Sequence, residues 1–273
     1  MLARFTLLLF ILLPLLSEAA ELRRRSTTSA AVQEAQARSS FNTLVLQTIQ
    51  HDMPSGGGYS ATPEDVARAA EAGVEWSEAL QGLVISPQRA APTFCSAACY
   101  MVLLRSLQRW EAAVGRRLPS DAWEALDIKG NQPDGTGAWG RANANGPGLA
   151  MLIHELSAGI NFHDVRIARP GDFLKIFWTE NIGAEERGHL VVFLGLERKN
   201  GAINLRYWSA NKPGGYGVRS VPLSRMHHLI FTRITAPQNF SRANRLREHH
   251  SWLHSMQTRS YTFGEVRRAC NIR

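Results

Sequence analysis

The fold is decided by the stretch TFCSAACYMVLLRSLQRW, Thr93 to Trp110. Within it Cys95, Cys99, Val102, Leu103, Leu107 and Trp110 follow the 3.6-residue period of a helix with one apolar face. Pro87 and Pro92 stand before it, and Thr93 is the expected N-cap, which puts Cys95 in the first turn. First-turn N–H groups have no partner inside the helix, and with the positive end of the helix dipole they favour a thiolate. The same groups can hold an oxyanion. Cys99, one turn deeper on the apolar face, reads as a buried structural thiol.

On the N-terminal side, Gly56, Gly57 and Gly58 break the chain. Thr62, Pro63, Glu64 and Asp65 then combine a cap, a proline at the first helical position and acids at the positive end of the dipole, so a helix is expected to about Gly73. On the C-terminal side a helix is expected from Ser120-Asp121. The Gly- and Asn-rich segment from Asn131 to Gly148 reads as a loop, and a helix over Leu149 to Leu156 is expected to end at Gly159. Beyond Pro170-Gly171 the period changes to 2. Short β-branched and aromatic runs follow at Phe173 to Trp178, His189 to Leu196, Ala202 to Ala210, Gly217 to Val221 and Ile230 to Ile234. Helices first and strands afterwards make the chain α+β with an antiparallel sheet.

The 273 residues are 44% hydrophobic and 20% charged, which excludes a disordered chain and leaves ample material for a core. The opening MLARFTLLLFILLPLLSEAA carries Arg4, an apolar run from Phe5 to Leu16 and small residues at Ser17, Ala19 and Ala20, the pattern of a secretory signal peptide over residues 1–20. The run is shorter than the roughly 20 residues that span a bilayer, and no cysteine follows it to carry a lipid. The expected organisation continues with a linker and short helix over 21–50, a main domain over 51–236 and a basic helical extension over 237–273. The mature chain is expected to be secreted or periplasmic, monomeric and without a transmembrane segment. The net charge is +8, and the basic stretch from Arg233 to Arg273 suggests an anionic envelope polymer as partner, with no nucleic acid expected. Three cysteines are an odd number, so at least one stays free. A bridge from Cys99 to Cys270 is left open.

His189 follows Gly188 at the mouth of the apolar strand GHLVVFLG and is the candidate base for Cys95. Asn211 in RYWSANKPGGYG is the candidate orienter, since an amide oxygen can accept from the imidazole and fix its tautomer. Whether it reaches depends on the hairpin between the strands. A two-residue turn at Asn200-Gly201 sets His189 across from Lys212; a three-residue loop Lys199-Asn200-Gly201 sets it across from Asn211, with Val191 across from Ser209. The second register is preferred because it brings the chemistry together. Trp139, Asn145 and Ser209 are the candidate substrate-binding residues. Asp134, with Gly135 and Gly137, is too sparse for a calcium loop. His250 and His254 have helical spacing but stand among arginines and read as a solvated face, so neither metal nor cofactor is expected. No Gly-x-Gly-x-x-Gly, P-loop or Cys-x-x-Cys is present, which leaves nucleotide and zinc-ribbon readings without support.

The order of Cys95-Ser96-Ala97, Pro170-Gly171-Asp172 before a strand, Gly188-His189 opening Val-Val-Phe-Leu-Gly after Leu190, and a polar residue on the next strand resembles the NlpC-like branch of papain-like cysteine amidases. The resemblance covers roughly Thr93 to Ile234. It implies a papain-like α+β fold, hydrolysis of a peptide or amide bond, and, for an exported bacterial chain, peptidoglycan stem peptides as substrate. Those enzymes typically carry Asp-Cys-Ser-Gly, where this chain has Phe94 and Ala97 at the flanking positions. Two competing readings are a non-enzymatic envelope-binding protein on the same fold and a metal-dependent hydrolase using His250 and His254.

Overall fold

A computed structural model of the chain describes residues 40–129 and 135–273. The expected signal peptide, the linker that follows it and Asp134 lie outside the described residues. Helix α1 (Phe41–His51), edge strand β1 (Gly56–Gly57), helix α2 (Pro63–Gly73) and the hairpin of β2 (Val74–Ser77) and β3 (Gly82–Ile85) lead into the long helix α3 (Cys95–Val114). Three short helices follow: α4 (Ser120–Ala125), α5 (Gly137–Asn143) and α6 (Leu149–Leu156). Then come strands β4 (Gly159–Phe162), β5 (Phe173–Phe177), β6 (Ile182–Gly183), β7 (Gly188–Lys199), β8 (Ala202–Asn211), β9 (Gly215–Pro222) and β10 (His228–Ile234). Helix α7 (Ser251–Ser255), β11 (Ser260–Tyr261) and α8 (Phe263–Ala269) complete the elements.

The chain is mixed α/β, built on a seven-stranded sheet in the order β1-β9-β8-β7-β5-β10-β4, antiparallel at every pairing. Alternation along the strands sorts the two faces. Phe173, Leu190, Val192, Trp208 and Ala210 join the core under α3, while Leu174, Ile176, Val191, Phe193, Leu205 and Tyr207 form a second core on the opposite face. The single apolar face expected for α3 is replaced by burial all round: Ala97 through Leu104 are all buried. The reason is position, since α3 lies between β7 and β8 on one side and α1 on the other. Among the described residues, no helix is long and apolar enough to cross a membrane.

Several local expectations are corrected. The segment read as a loop contains α5, and its Arg141, fully buried, donates to the carbonyls of Gly135 at 2.9 Å, Gly137 at 2.8 Å and Arg247 at 2.9 Å while pairing with Glu155. A buried guanidinium needs that many acceptors to offset its lost hydration. Gly159 does not stop α6. Ser157 does so in the left-handed conformation, φ 52°, and Gly159 opens β4, where a Cβ would run into the Arg233 carbonyl.

No boundary falls at residue 236 either, because Ser40–Arg273 is one compact unit. Leu253, Met256, Val266, Cys270 and Ile272 bury themselves against Phe177, Ile182, Ile230 and Met151 in a third core cluster. The tail that read as a basic extension is therefore also a wall of the domain. His250 is not inside the helix that carries His254: it sits at the N-cap of α7, where its Nδ1 accepts from the Leu253 N–H at 3.3 Å.

Candidate active site

Helix α3 begins one residue later than a Thr93 cap requires. Thr93 is held in a parallel bridge with Tyr59, its carbonyl accepting from the Ser60 N–H at 3.1 Å, so its backbone is committed to the bridge. Phe94 takes the cap position in an extended conformation with no side-chain cap, and Cys95 is the first helical residue. The first intrahelical bond runs from the Ala98 N–H to the Phe94 carbonyl at 3.0 Å. The N–H groups of Cys95, Ser96 and Ala97 therefore precede the helical ladder, on the side where the half-buried Cys95 thiol lies.

Three neighbours act on that thiol: the His189 side chain, the Leu190 backbone and the Tyr59 hydroxyl. Burial pushes the Cys95 thiol up, but the hydrogen bond and charge of His189, the Leu190 N–H and the nearby charge of Lys175 together outweigh it and hold the group at about 6. The opposite holds for its neighbours. Burial raises the Tyr59 hydroxyl and the Cys99 thiol, and the Cys95 thiolate adds to both effects.

His189 is oriented from behind. Its Nε2 lies 3.3 Å from Asn211 Oδ1, and the Asn211 amide cannot be turned round, because its Nδ2 donates to the carbonyls of Ser209 at 2.9 Å and Gly217 at 2.8 Å. Oδ1 must then accept, Nε2 must carry the proton, and Nδ1 is left for the thiol. The ring also stands edge-on to Tyr207, with centroids 5.5 Å apart.

The way Asn211 comes to face His189 differs from the expected one. The hairpin is the two-residue turn, with Lys199 paired to Ala202 and both Asn200 (φ 49°) and Gly201 (φ 78°) left-handed. Taken alone that register would put His189 opposite Lys212. A β-bulge between Phe193 and Gly195 shifts it by one residue, so that Val192 pairs with Trp208. Carried on to the end of β7, the shifted ladder puts His189 across from Asn211. Gly195 supplies the backbone for the bulge at φ 133°.

The expected substrate-binding residues fare differently. Trp139 is 1% exposed and packs in the core against Phe94 and Tyr100, so it supports the residue before Cys95. Ser209 is fully buried and donates to the Leu190 carbonyl at 2.7 Å. Cys99 Sγ donates to that same oxygen at 3.3 Å, so both act by fixing Leu190. Asn145 is half-buried, with its amide donating to the Gly183 carbonyl at 3.2 Å. In Pro170-Gly171-Asp172, Asp172 is fully buried and accepts from Asn42 at 2.7 Å, the Arg169 N–H at 2.7 Å and Arg233 at 2.8 and 2.6 Å. It ties α1 and β10 to the sheet.

Residues that sequence reasoning missed complete the surroundings. Tyr59 comes from the glycine-rich breaker, which pairs as an edge strand with β9. Lys175 is half-buried on β5 across from Leu190 and forms an ion pair with Glu186 at 2.6 Å. The other Glu186 oxygen accepts from the Gly183 N–H at 3.0 Å and the Gly146 N–H at 2.5 Å. The pair fits because position 188 is glycine: a Cβ there would lie 2.8 Å from the Lys175 stem and 2.8 Å from a Glu186 oxygen. Alternation in FLKIF, with Phe173 and Phe177 facing the α3 side, was a legible sign that Lys175 faces inward; nothing in the sequence marks Glu186 as its partner.

All three cysteines are free thiols, Cys99 and Cys270 belonging to different core clusters. Among the described residues, no group of three or more His, Cys, Asp or Glu side chains is arranged to hold a metal ion. No family model, no curated protein and no solved structure matches this chain.

Proposed function

We propose that the chain is a thiol hydrolase with a papain-like, NlpC-like arrangement, acting on a peptide or amide bond. The observation that carries the reading is the line of Cys95, His189 and Asn211, in which a first-turn thiol meets an imidazole whose proton position is dictated from behind. The Cys95 thiolate attacks the carbonyl carbon, and the negative charge moves to the carbonyl oxygen. The helix-start N–H groups and the Tyr59 hydroxyl are placed to donate to that oxyanion. His189 Nδ1, protonated once the thiolate forms, gives its proton to the leaving amine. Water then attacks the thioester, His189 takes its proton, and the acid product leaves. Asn211 holds the ring in register throughout.

The long helix carrying the cysteine, packed on an antiparallel sheet that supplies histidine and asparagine from adjacent strands, supports the papain-like comparison. With the signal-like opening of the sequence, the reading extends to an exported enzyme whose substrate is peptidoglycan stem peptides. Mass spectrometry of purified peptidoglycan incubated with the chain and with its Cys95→Ala form is the test. New peptide termini are expected with the first alone, and identical digests from the two would refute the reading.

A further inference from the structure

The sheet face that carries His189 continues along β8 and β9. Across this pair Asn211 faces Gly215, Ser209 faces Gly217 and Tyr207 faces Arg219, and residues directly opposite in an antiparallel pair share a face. Gly215, Gly217 and Arg219 therefore lie on the same side of the sheet as His189, Asn211 and Tyr207. No atom lies within 4 Å of the place a Gly217 Cβ would occupy. Space is thus open beside the Asn211 amide, which bonds the Gly217 carbonyl.

That open space is rimmed by positive charge. Arg219 is exposed, and one of its guanidinium nitrogens lies 3.6 Å from the Cβ position of Gly214, so the side chain reaches back toward the turn that follows Asn211. Arg225, exposed in the short turn after β9, comes near Tyr207 together with Arg219: burial raises the Tyr207 hydroxyl, and both guanidinium charges oppose that rise. Lys212 stands exposed in the turn itself. Arg206, by contrast, one residue before Tyr207 on β8 and so on the other face, pairs with Glu197 at 3.5 Å. Among the described residues neither Arg219 nor Arg225 has a carboxylate within ion-pair distance.

We propose that Arg219 and Arg225 form an anion subsite beside the catalytic line, so that the enzyme takes peptides carrying a carboxylate close to the scissile bond. For its substrate class the inference rests on the thiol-hydrolase reading. Two guanidinium groups with no carboxylate within ion-pair distance among the described residues, bordering the open space over Gly217, raise the local concentration of an anionic group and hold it by charge-assisted hydrogen bonds. A neutral peptide gains nothing from them. The open strip over Gly217 gives the chain of such a substrate a path between Arg219 and His189.

The test needs no natural substrate. Iodoacetylglycine and iodoacetylglycinamide differ only in whether their C-terminus is a carboxylate, one residue from the carbon that Cys95 attacks. In both, the thiolate sulfur displaces iodide as the C–S bond forms. The ratio of second-order rates, acid over amide, is measured at Cys95 and compared with free cysteine at low and high salt. The chain should favour the acid by about tenfold over the free-thiol ratio at low salt, and added salt should shrink the preference. Arg219→Gln with Arg225→Gln should return the ratio to the free-thiol value, the amide rate of each variant serving as its own reference, whereas Arg206→Gln should keep the preference. An unchanged ratio in the folded double variant overturns the subsite. If instead the amide reagent reacts with Cys95 no faster than with free cysteine, the hydrolase reading falls, while the dependence of the ratio on the two arginines is still read directly.

Discussion

Cys95 should react as a thiolate down to about pH 6, and the half-buried Lys175–Glu186 pair should set part of that midpoint. A free thiol titrates near 8.5, so at pH 7 it is about 3% ionised, whereas a thiol titrating near 6 is about 90% ionised, a difference of roughly thirtyfold in reactive form. The groups facing Cys95 are His189 from β7, Lys175 from β5, Tyr59 from the bridge segment, Cys99 from its own helix and Tyr207 from β8. Burial raises both tyrosines and Cys99, which keeps them neutral at neutral pH, so His189 and Lys175 are the charges that matter. An opposite charge a few ångströms away is worth about one to three pKa units. Lys175→Met should therefore raise the midpoint by about one unit, and His189→Ala should raise it further, because His189 also supplies the hydrogen bond. Glu186→Gln should lower it, since Lys175 then acts without its counter-charge. The assay is the rate of iodoacetamide labelling at Cys95, resolved by mass spectrometry from about pH 4 to about pH 10, with circular dichroism to verify folding. A loss of packing would move both lysine and glutamate variants in the same direction. Shifts of the same sign, or none, would show that the pair acts only as filler and refute the electrostatic argument.

Asn211→Ala should slow hydrolysis by less than His189→Ala does, because the ring loses its orienter but keeps its proton-carrying nitrogen; steady-state kinetics of the two variants on one substrate decide this. Gly195→Val should cost about 1–3 kcal/mol in urea unfolding, since a β-branched residue resists the φ of 133° at the bulge, and the surviving folded fraction should label more slowly at Cys95 as His189 drifts from Asn211. Truncation after Ala236 should abolish cooperative thermal unfolding, because it strips Leu253, Met256, Val266 and Ile272 from a buried cluster; at about 1.5–3 kcal/mol each, their loss rivals the whole stability of a domain. A truncated chain that still melts cooperatively near the full-length temperature would contradict this packing. Cys99 and Cys270, both buried and with raised thiol pKa values, should stay unlabelled in native protein under conditions that label Cys95 completely.

Local chemistry made much of the chain legible in the sequence. The change from period 3.6 to period 2 beyond Pro170 depends only on how side chains alternate along a helix or a strand, and the strands β5, β7, β8, β9 and β10 appear where it placed them. The cysteine at a helix start, the histidine at a strand mouth and the asparagine on the next strand were visible by type for the same reason. Their meeting was not. A two-residue hairpin turn would have sent Asn211 to the wrong face, and a bulge near Gly195, which depends on how β7 twists against its neighbours, moved it back. Trp139 and Ser209 read as candidate binding residues because polarity and aromatic character are properties of a residue, whereas burial is a property of its surroundings. Tyr59, Lys175 and Glu186 gather around Cys95 and His189 from segments far apart in the chain. Only the closing of β1 onto β9, and the space left by Gly188, decided that they belong there.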